Sequence, residues 1–191
     1  MVGLFGGSFD PIHLGHLIVG RAVAEDLGLG EIRFLPTGEQ PLKRGRHAAS
    51  APHRAAMVAA AIGDEAGFAL ERVEVDRPGP SYMVDTLRAL RTREPGRDFV
   101  LLLGADAAAD LDQWREAVAL PGLARLVAFA RPGTPRPSHP LLHQVVEAPA
   151  IEISSTVIRR RVAAGRSIRF LVPDAVADYI AAHGLYRNGH G

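Results

Sequence analysis

Residues 2–5 (VGLF) form a short apolar run that stops at Gly6-Gly7, which predicts a strand followed by a tight turn. From 14 to 27 the period changes. Leu14, Leu17, Ile18, Ala22 and Leu27 share one face at helical spacing, and Gly28 closes the segment. Residues 31–35 read as a second strand ended by Pro36, and residues 36–50 as a polar loop rich in Gly, Pro, Lys and Arg. A helix is expected over 51–65, with Pro52 early enough that its missing N–H costs little. Alternation over 68–75 predicts a strand, 76–81 a turn, and 82–93 a helix stopped by Glu94-Pro95-Gly96. Residues 99–103, FVLLL, are continuously apolar, the pattern of a strand covered on both faces.

Gly104-Ala105-Asp106 opens a loop or short helix, 114–120 reads as helical, and RLVAFA at 125–130 as a strand. Residues 132–140 hold four prolines and form a loop; 145–148 and 151–153 are short strands or edges. Helices are expected over 156–164 and 174–182. Strands alternating with helices of this length imply βαβ units, hence an α/β fold with a mostly parallel sheet flanked by helices. The chain shows no internal repeat and no linker, so 1–191 is expected to be a single domain.

Composition narrows the chemistry. Hydrophobic residues are 47% and charged residues 23% of the chain, which is globular rather than disordered. The absence of cysteine excludes disulfides and thiolate catalysis. A net charge of +1, with one Trp and three Tyr, argues against a nucleic-acid binder. No basic segment precedes the first strand and no apolar stretch reaches the roughly 18 residues of a membrane span, so the cytoplasm is the expected location. Arginines at 159, 160, 161, 166 and 169 make the last third locally basic.

The first candidate site is GGSFDPIH, residues 6–13, directly after the first strand. In parallel sheets ligands bind beyond the carboxyl ends of strands, where glycines let the backbone approach an anion and a helix start favours it. His13 and His16 are one turn apart on the next helix and share a face. Neutral imidazoles there can donate to phosphate oxygens and can charge as negative charge builds up. Metal ligation and a purely structural role are the alternatives; a zincin helix would need a further ligand and an adjacent glutamate. Ser8, Asp10 and His13 do not make a hydrolase triad, because the elbow pattern G-x-S-x-G is absent. Neither G-x-G-x-x-G nor a Walker G-K-[ST] occurs at this turn.

The second candidate is ISSTVIRRR, residues 153–161. Ser154, Ser155 and Thr156 are natural N-caps, and their hydroxyls also suit phosphate. Capping leaves Arg159–Arg161 unexplained, since cations near a helix start oppose its dipole unless an anion binds there. Two anion sites converging on one polyphosphate would act by positioning and charge, without a covalent nucleophile.

GGSFDPIHLGHL resembles the (T/H)xGH-type signature of the nucleotidyltransferase superfamily, and ISSTVIRRR its C-terminal signature. The remaining blocks PTGEQPLK, RPGPSYMVDTLRAL, LLLGADAAADLDQW, FARPG and FLVPDAVADYIAAHGLY are similar to the bacterial nicotinate-nucleotide adenylyltransferase family over nearly the whole chain. The resemblance implies a Rossmann-like nucleotidyltransferase domain that moves the adenylyl group of ATP to nicotinate mononucleotide, releasing pyrophosphate, with magnesium on the ATP phosphates. It places His16 and His13 at the reacting phosphates, with Gly6, Gly7, Ser8 and Phe9 along the ATP path. It puts Gly104 and Asp106 at adenosine, and Ser155, Thr156 and Arg159 on the phosphates from the other side. Lys43 is implied at the leaving group or mononucleotide, Trp114 against the pyridine ring with Thr86 beside it, and Arg131 at the mononucleotide phosphate. No nucleic acid or membrane partner is implied, and homo-oligomerisation is left open.

Two positions depart from the family pattern: Leu42 stands where PPHK has histidine, and Met83 where SYTVDTL has threonine. Both bear on the acid-or-amide choice at the ring. The rivals are an amide-using enzyme, another adenylyltransferase such as the pantetheine-phosphate type, and a noncatalytic nucleotide module. The last would predict loss of His13, His16, Lys43 and Arg159, all of which are present.

Overall fold

The computed structural model describes residues 1–39 and 47–187. Its centre is a six-stranded sheet formed by β1 (Val2–Gly7), β2 (Glu31–Pro36), β3 (Phe68–Leu70), β4 (Phe99–Gly104), β5 (Arg125–Ala130) and β6 (Gln144–Glu147). The order is β3-β2-β1-β4-β5-β6 and every pairing is parallel. The chain winds outward on one side of β1 and then on the other, so the crevice beyond β1 and β4 is the switch point where such sheets bind ligands. Phe5 stands opposite Leu102, so Gly7 and Gly104 end their strands side by side.

The pleat divides the apolar runs between two cores. Val100 and Leu102 join Phe5, Ile32 and Phe34 under α1 (Leu14–Asp26), α2 (Ala51–Ile62), α5 (Ser155–Ala163) and α6 (Asp174–Ala182). Phe99, Leu101 and Leu103 join Val2, Leu4, Leu126 and Ala128 under α3 (Met83–Arg93) and α4 (Ala105–Ala109). FVLLL is therefore apolar throughout because both of its faces are covered. No described helix is long and apolar enough to cross a membrane.

Four expectations are corrected. β3 has three residues rather than eight, because the chain turns away to bury Glu71 and Glu74 in polar networks. α2 stops at Ile62, where Gly63 takes φ +48. The expected helix over 114–120 is replaced by 3-10 turns at Leu111–Gln113 and Ala117–Gly122, separated by Glu116 at φ +51 and containing Pro121. Residues 151–153 form no strand and lead into α5 through an extended Ser154.

Phe34 is fully buried, with Phe5, Phe9 and Phe68 at ring-centroid distances of 5.6, 5.8 and 5.1 Å. Phe34→Ala should lower stability by about 3–5 kcal/mol, read as a shift of the urea midpoint at unchanged slope.

Candidate active site

Gly6 and Gly7 turn out to be strand residues, not the turn itself, and neither takes a positive φ. Gly7 is small for another reason: a Cβ there would lie 2.9–3.2 Å from the Phe9 ring. The left-handed conformation falls on Phe9, at φ +47. A bulky residue held there stores about 1–3 kcal/mol of strain and marks a constrained position. Phe9 is buried, its ring edge-on to His16 at 5.0 Å, so it supports the imidazole from behind rather than lining an open path.

His13 is the N-cap of α1 and His16 sits one turn in. Their rings stack at 3.7 Å and 27°. The His13 backbone N–H donates to His16 Nδ1 at 3.2 Å, so the neutral His16 ring carries its proton on Nε2. Burial drives the His16 pKa well below 6.5, with His13 adding to the effect. Burial and then the nearby Arg131 charge lower His13 to about 4. Both rings are therefore neutral donors at pH 7. The His13 side chain in turn faces the His16 backbone as the other half of a capping box, and its Nδ1 is buried there. The Leu14 amide at the helix start donates to the Leu171 carbonyl at 3.0 Å and so is already engaged.

The two sequence motifs meet. Ser154 caps α5 by accepting from the Val157 amide at 3.3 Å. Ser155 Oγ donates to the Pro11 carbonyl at 2.8 Å, and Arg159 Nη1 to the Asp10 carbonyl at 2.9 Å. Arg159 Nη2 lies 3.4 Å from Thr156 Oγ1, while its Nε is buried and unpartnered among the described residues. One part of the sequence argument changes: Arg160 and Arg161 occupy the last turn of the nine-residue α5, where the dipole favours cations. Only Arg159 still faces the site.

The other expected residues sit around the same crevice. Gly104 ends β4 and the exposed Asp106 opens α4. Arg131 follows β5, close enough for its charge to act on His13. Trp114 is half-buried beside the core of Tyr82 and Met83, the latter's Cε standing 3.6 Å from where a Gly6 Cβ would be. Thr86, expected at the ring pocket, is fully buried: its hydroxyl donates to Glu74 at 2.9 Å and accepts from Arg77 at 3.0 Å. Its hydroxyl is thus fully engaged within the fold. Lys43 lies outside the described residues.

Sequence reasoning missed Asp10, Arg54, Tyr186, His47 and Glu74. The Asp10 carboxylate accepts from the Ala48 and Ala49 amides at 2.7 and 3.1 Å and from Tyr186 Oη at 2.7 Å. Burial, then Asp10, raises the Tyr186 pKa, so this phenol stays a donor. Arg54 is buried against the loops after β1 and β2. Its signal was present: Arg54, Val58 and Ile62 fall at i, i+4 and i+8 on the buried face of α2. His47 Nε2 is 3.2 Å from Ser8 Oγ. Burial raises the pKa of Glu74. No group of three or more His, Cys, Asp or Glu side chains placed to hold a metal ion is gathered among the described residues, and both Asp10 oxygens are engaged by N–H and O–H donors.

His13 binds fewer protons folded than unfolded between pH 6.5 and about 4, so stability is full above that window and falls as pH drops through it. The loss assigned to His13 should be about 3 kcal/mol, and His13→Gln should flatten the slope by about one proton in urea titrations across pH 4–7.

Residues 4–161 match the cytidylyltransferase-like family model. The chain is 46% identical over 195 residues to the probable nicotinate-nucleotide adenylyltransferase of Roseiflexus sp. (strain RS-1), covering 97% of this chain and 98% of that one. It is 47% identical over 186 residues to the protein of the same name from Thermus thermophilus, covering 97% and 99%. In fold it is similar to Plasmodium falciparum nicotinic acid mononucleotide adenylyltransferase, a structure complexed with NaAD, at TM-score 0.75 and 19% identity over 97% and 96% of the two chains. Full-length identity at the level of the two bacterial relatives, on a crevice that joins both nucleotidyltransferase signatures, shows that the chain belongs to the nicotinate-nucleotide adenylyltransferase family.

Proposed function

We propose that the protein transfers the adenylyl group of ATP to nicotinate mononucleotide, forming deamido-NAD and pyrophosphate. The observation that carries this is the stacked, neutral His13–His16 pair facing the crevice that α5 closes with Arg159. Two anions must be brought together here, and donors fixed in advance cost no reorganisation as charge develops.

A 5′-phosphate oxygen of the mononucleotide attacks the α-phosphorus in line. The new P–O bond forms as the α–β bridging P–O bond breaks, and its electron pair leaves with pyrophosphate. The nucleophile is already anionic, so no base is required. His16 donates Nε2–H to an α-phosphoryl oxygen, its ring fixed by the His13 amide and Phe9. Arg159, whose buried Nε has no partner among the described residues, and His13 serve the same polyphosphate, helped by Ser155, Thr156, Gly6, Gly7 and Ser8. Gly104 and Asp106 hold adenosine, Arg131 the mononucleotide phosphate, Trp114 the ring, and Lys43 the leaving group. Magnesium carried on the triphosphate as MgATP would neutralise charge there. This reading needs one nucleotidyltransferase domain, residues 1–191.

With MgATP, nicotinate mononucleotide should be used in strong preference to the amide, followed by pyrophosphate release. His16→Ala should lower kcat by about 10²–10³-fold with the fold retained. Equal use of both mononucleotides would overturn the ring assignment; an active His16→Ala would overturn the catalytic one. Trp114 is the one tryptophan of the chain, so its fluorescence should be quenched on adding the mononucleotide, and Trp114→Ala should raise KM for that substrate about tenfold at little change in KM for ATP.

A further inference from the structure

Arg54 is the bulkiest of the fully buried side chains, 1% exposed. Among the described residues its hydrogen bonds go to backbone carbonyls and one hydroxyl. Nε donates to the Ala49 carbonyl at 3.2 Å. Nη1 donates to the Ser8 carbonyl at 2.6 Å and approaches Thr37 Oγ1 at 3.5 Å. Nη2 donates to the Thr37 and Gly38 carbonyls at 2.6 and 3.3 Å. Burial weakens its hold on its proton, which Asp10, Tyr186 and Glu74 partly restore. A buried cation is costly, and an apolar side chain of this volume would pack more cheaply. What it supplies is a rigid fork with donors aimed in several directions.

The place of that fork is informative. The β1–β2 ladder ends at Gly7 opposite Pro36, with one further bond from the Thr37 amide to the Gly7 carbonyl at 2.9 Å. Beyond it the two chains part. Ser8 leads to Phe9 and the histidines. Gly38 leads to Glu39, whose carbonyl takes the Ser81 amide at 2.8 Å beside Tyr82 and Met83. A Cβ on Gly38 would collide with the Glu74 carbonyl and Ser81 Oγ, so this wall has no room to drift. Arg54 spans the parting strands where the ladder stops.

Resting on the adenylyl-transfer reading, we infer that Arg54 is a positioning residue: it holds the Ser8 turn and the 37–39 segment at the separation that aligns the ATP α-phosphorus with the mononucleotide phosphate. It touches neither substrate. Small misplacement across such a gap costs turnover far more than binding.

The test compares wild type, Arg54→Lys and Arg54→Ala for melting temperature, for Kd of a nonhydrolysable ATP analogue and of nicotinate mononucleotide, and for kcat. Arg54→Lys keeps the charge but cannot reach both chains. It should melt cooperatively and bind each substrate within about threefold of wild type, while kcat falls about 100-fold. In Arg54→Ala, millimolar guanidinium chloride should recover part of kcat. Sucrose, which raises the melting temperature, should not. Unimpaired kcat in Arg54→Lys, or recovery by sucrose alone, would overturn the assignment. Absence of turnover in the wild type would instead sink the adenylyl-transfer reading, and the inference with it.

Discussion

The carboxylate of Asp10 and the guanidinium of Arg54 are joined through the backbone of Ala48-Ala49, and the crevice is built on that junction. The amides of this segment go to Asp10 and the Ala49 carbonyl goes to Arg54. Neither charge meets the other directly; peptide dipoles compensate both. The two residues are only 3% and 1% exposed, so peptide groups rather than solvent carry the compensation of each charge. From Asp10 the arrangement extends to Arg159 on α5 and to Tyr186 after α6. From Arg54 it extends to the turn after β1 and the segment after β2. The walls of the site are thus fixed by groups that do no chemistry.

What those walls present is a pair of uncharged imidazoles. Two imidazolium ions stacked at 3.7 Å would repel strongly, and burial keeps both rings neutral. Positive charge is supplied instead by Arg131 and Arg159, at the rim. That division suits a reaction in which anionic substrates must be drawn in while the transferring group is met by short, directed donors.

Much of this was legible in the chain. The apolar run FVLLL announced a strand covered twice, helical spacing placed α1 and α6, and the two motifs announced phosphate chemistry from opposite ends. The strand read over 68–75 failed because alternation there reflects buried glutamates, Glu71 bound by Arg93 and Glu74 by Thr86, not a sheet face. The helix read over 114–120 failed on Pro121 and on a left-handed Glu116, which apolar spacing does not record. Arg54 escaped because a single arginine in a helix is ordinarily solvated, and its partners lie 5, 16, 17 and 46 residues away. Thr86 carries a hydroxyl suited to a pocket, but which way that hydroxyl points is a tertiary fact.

The contacts of the Asp10-Pro11 segment span most of the polypeptide. Pro11 is met by a residue 144 positions later, the Asp10 carbonyl by one 149 later, and its carboxylate by one 176 later. Loop closure of that length is slow and comes late. On a ribosome, β1 and its neighbours have emerged long before α5 and Tyr186, and a chain at that stage holds the histidine motif without the partners that shape it. The crevice is therefore complete only once α5 and Tyr186 have joined it, however early the histidine motif itself is made.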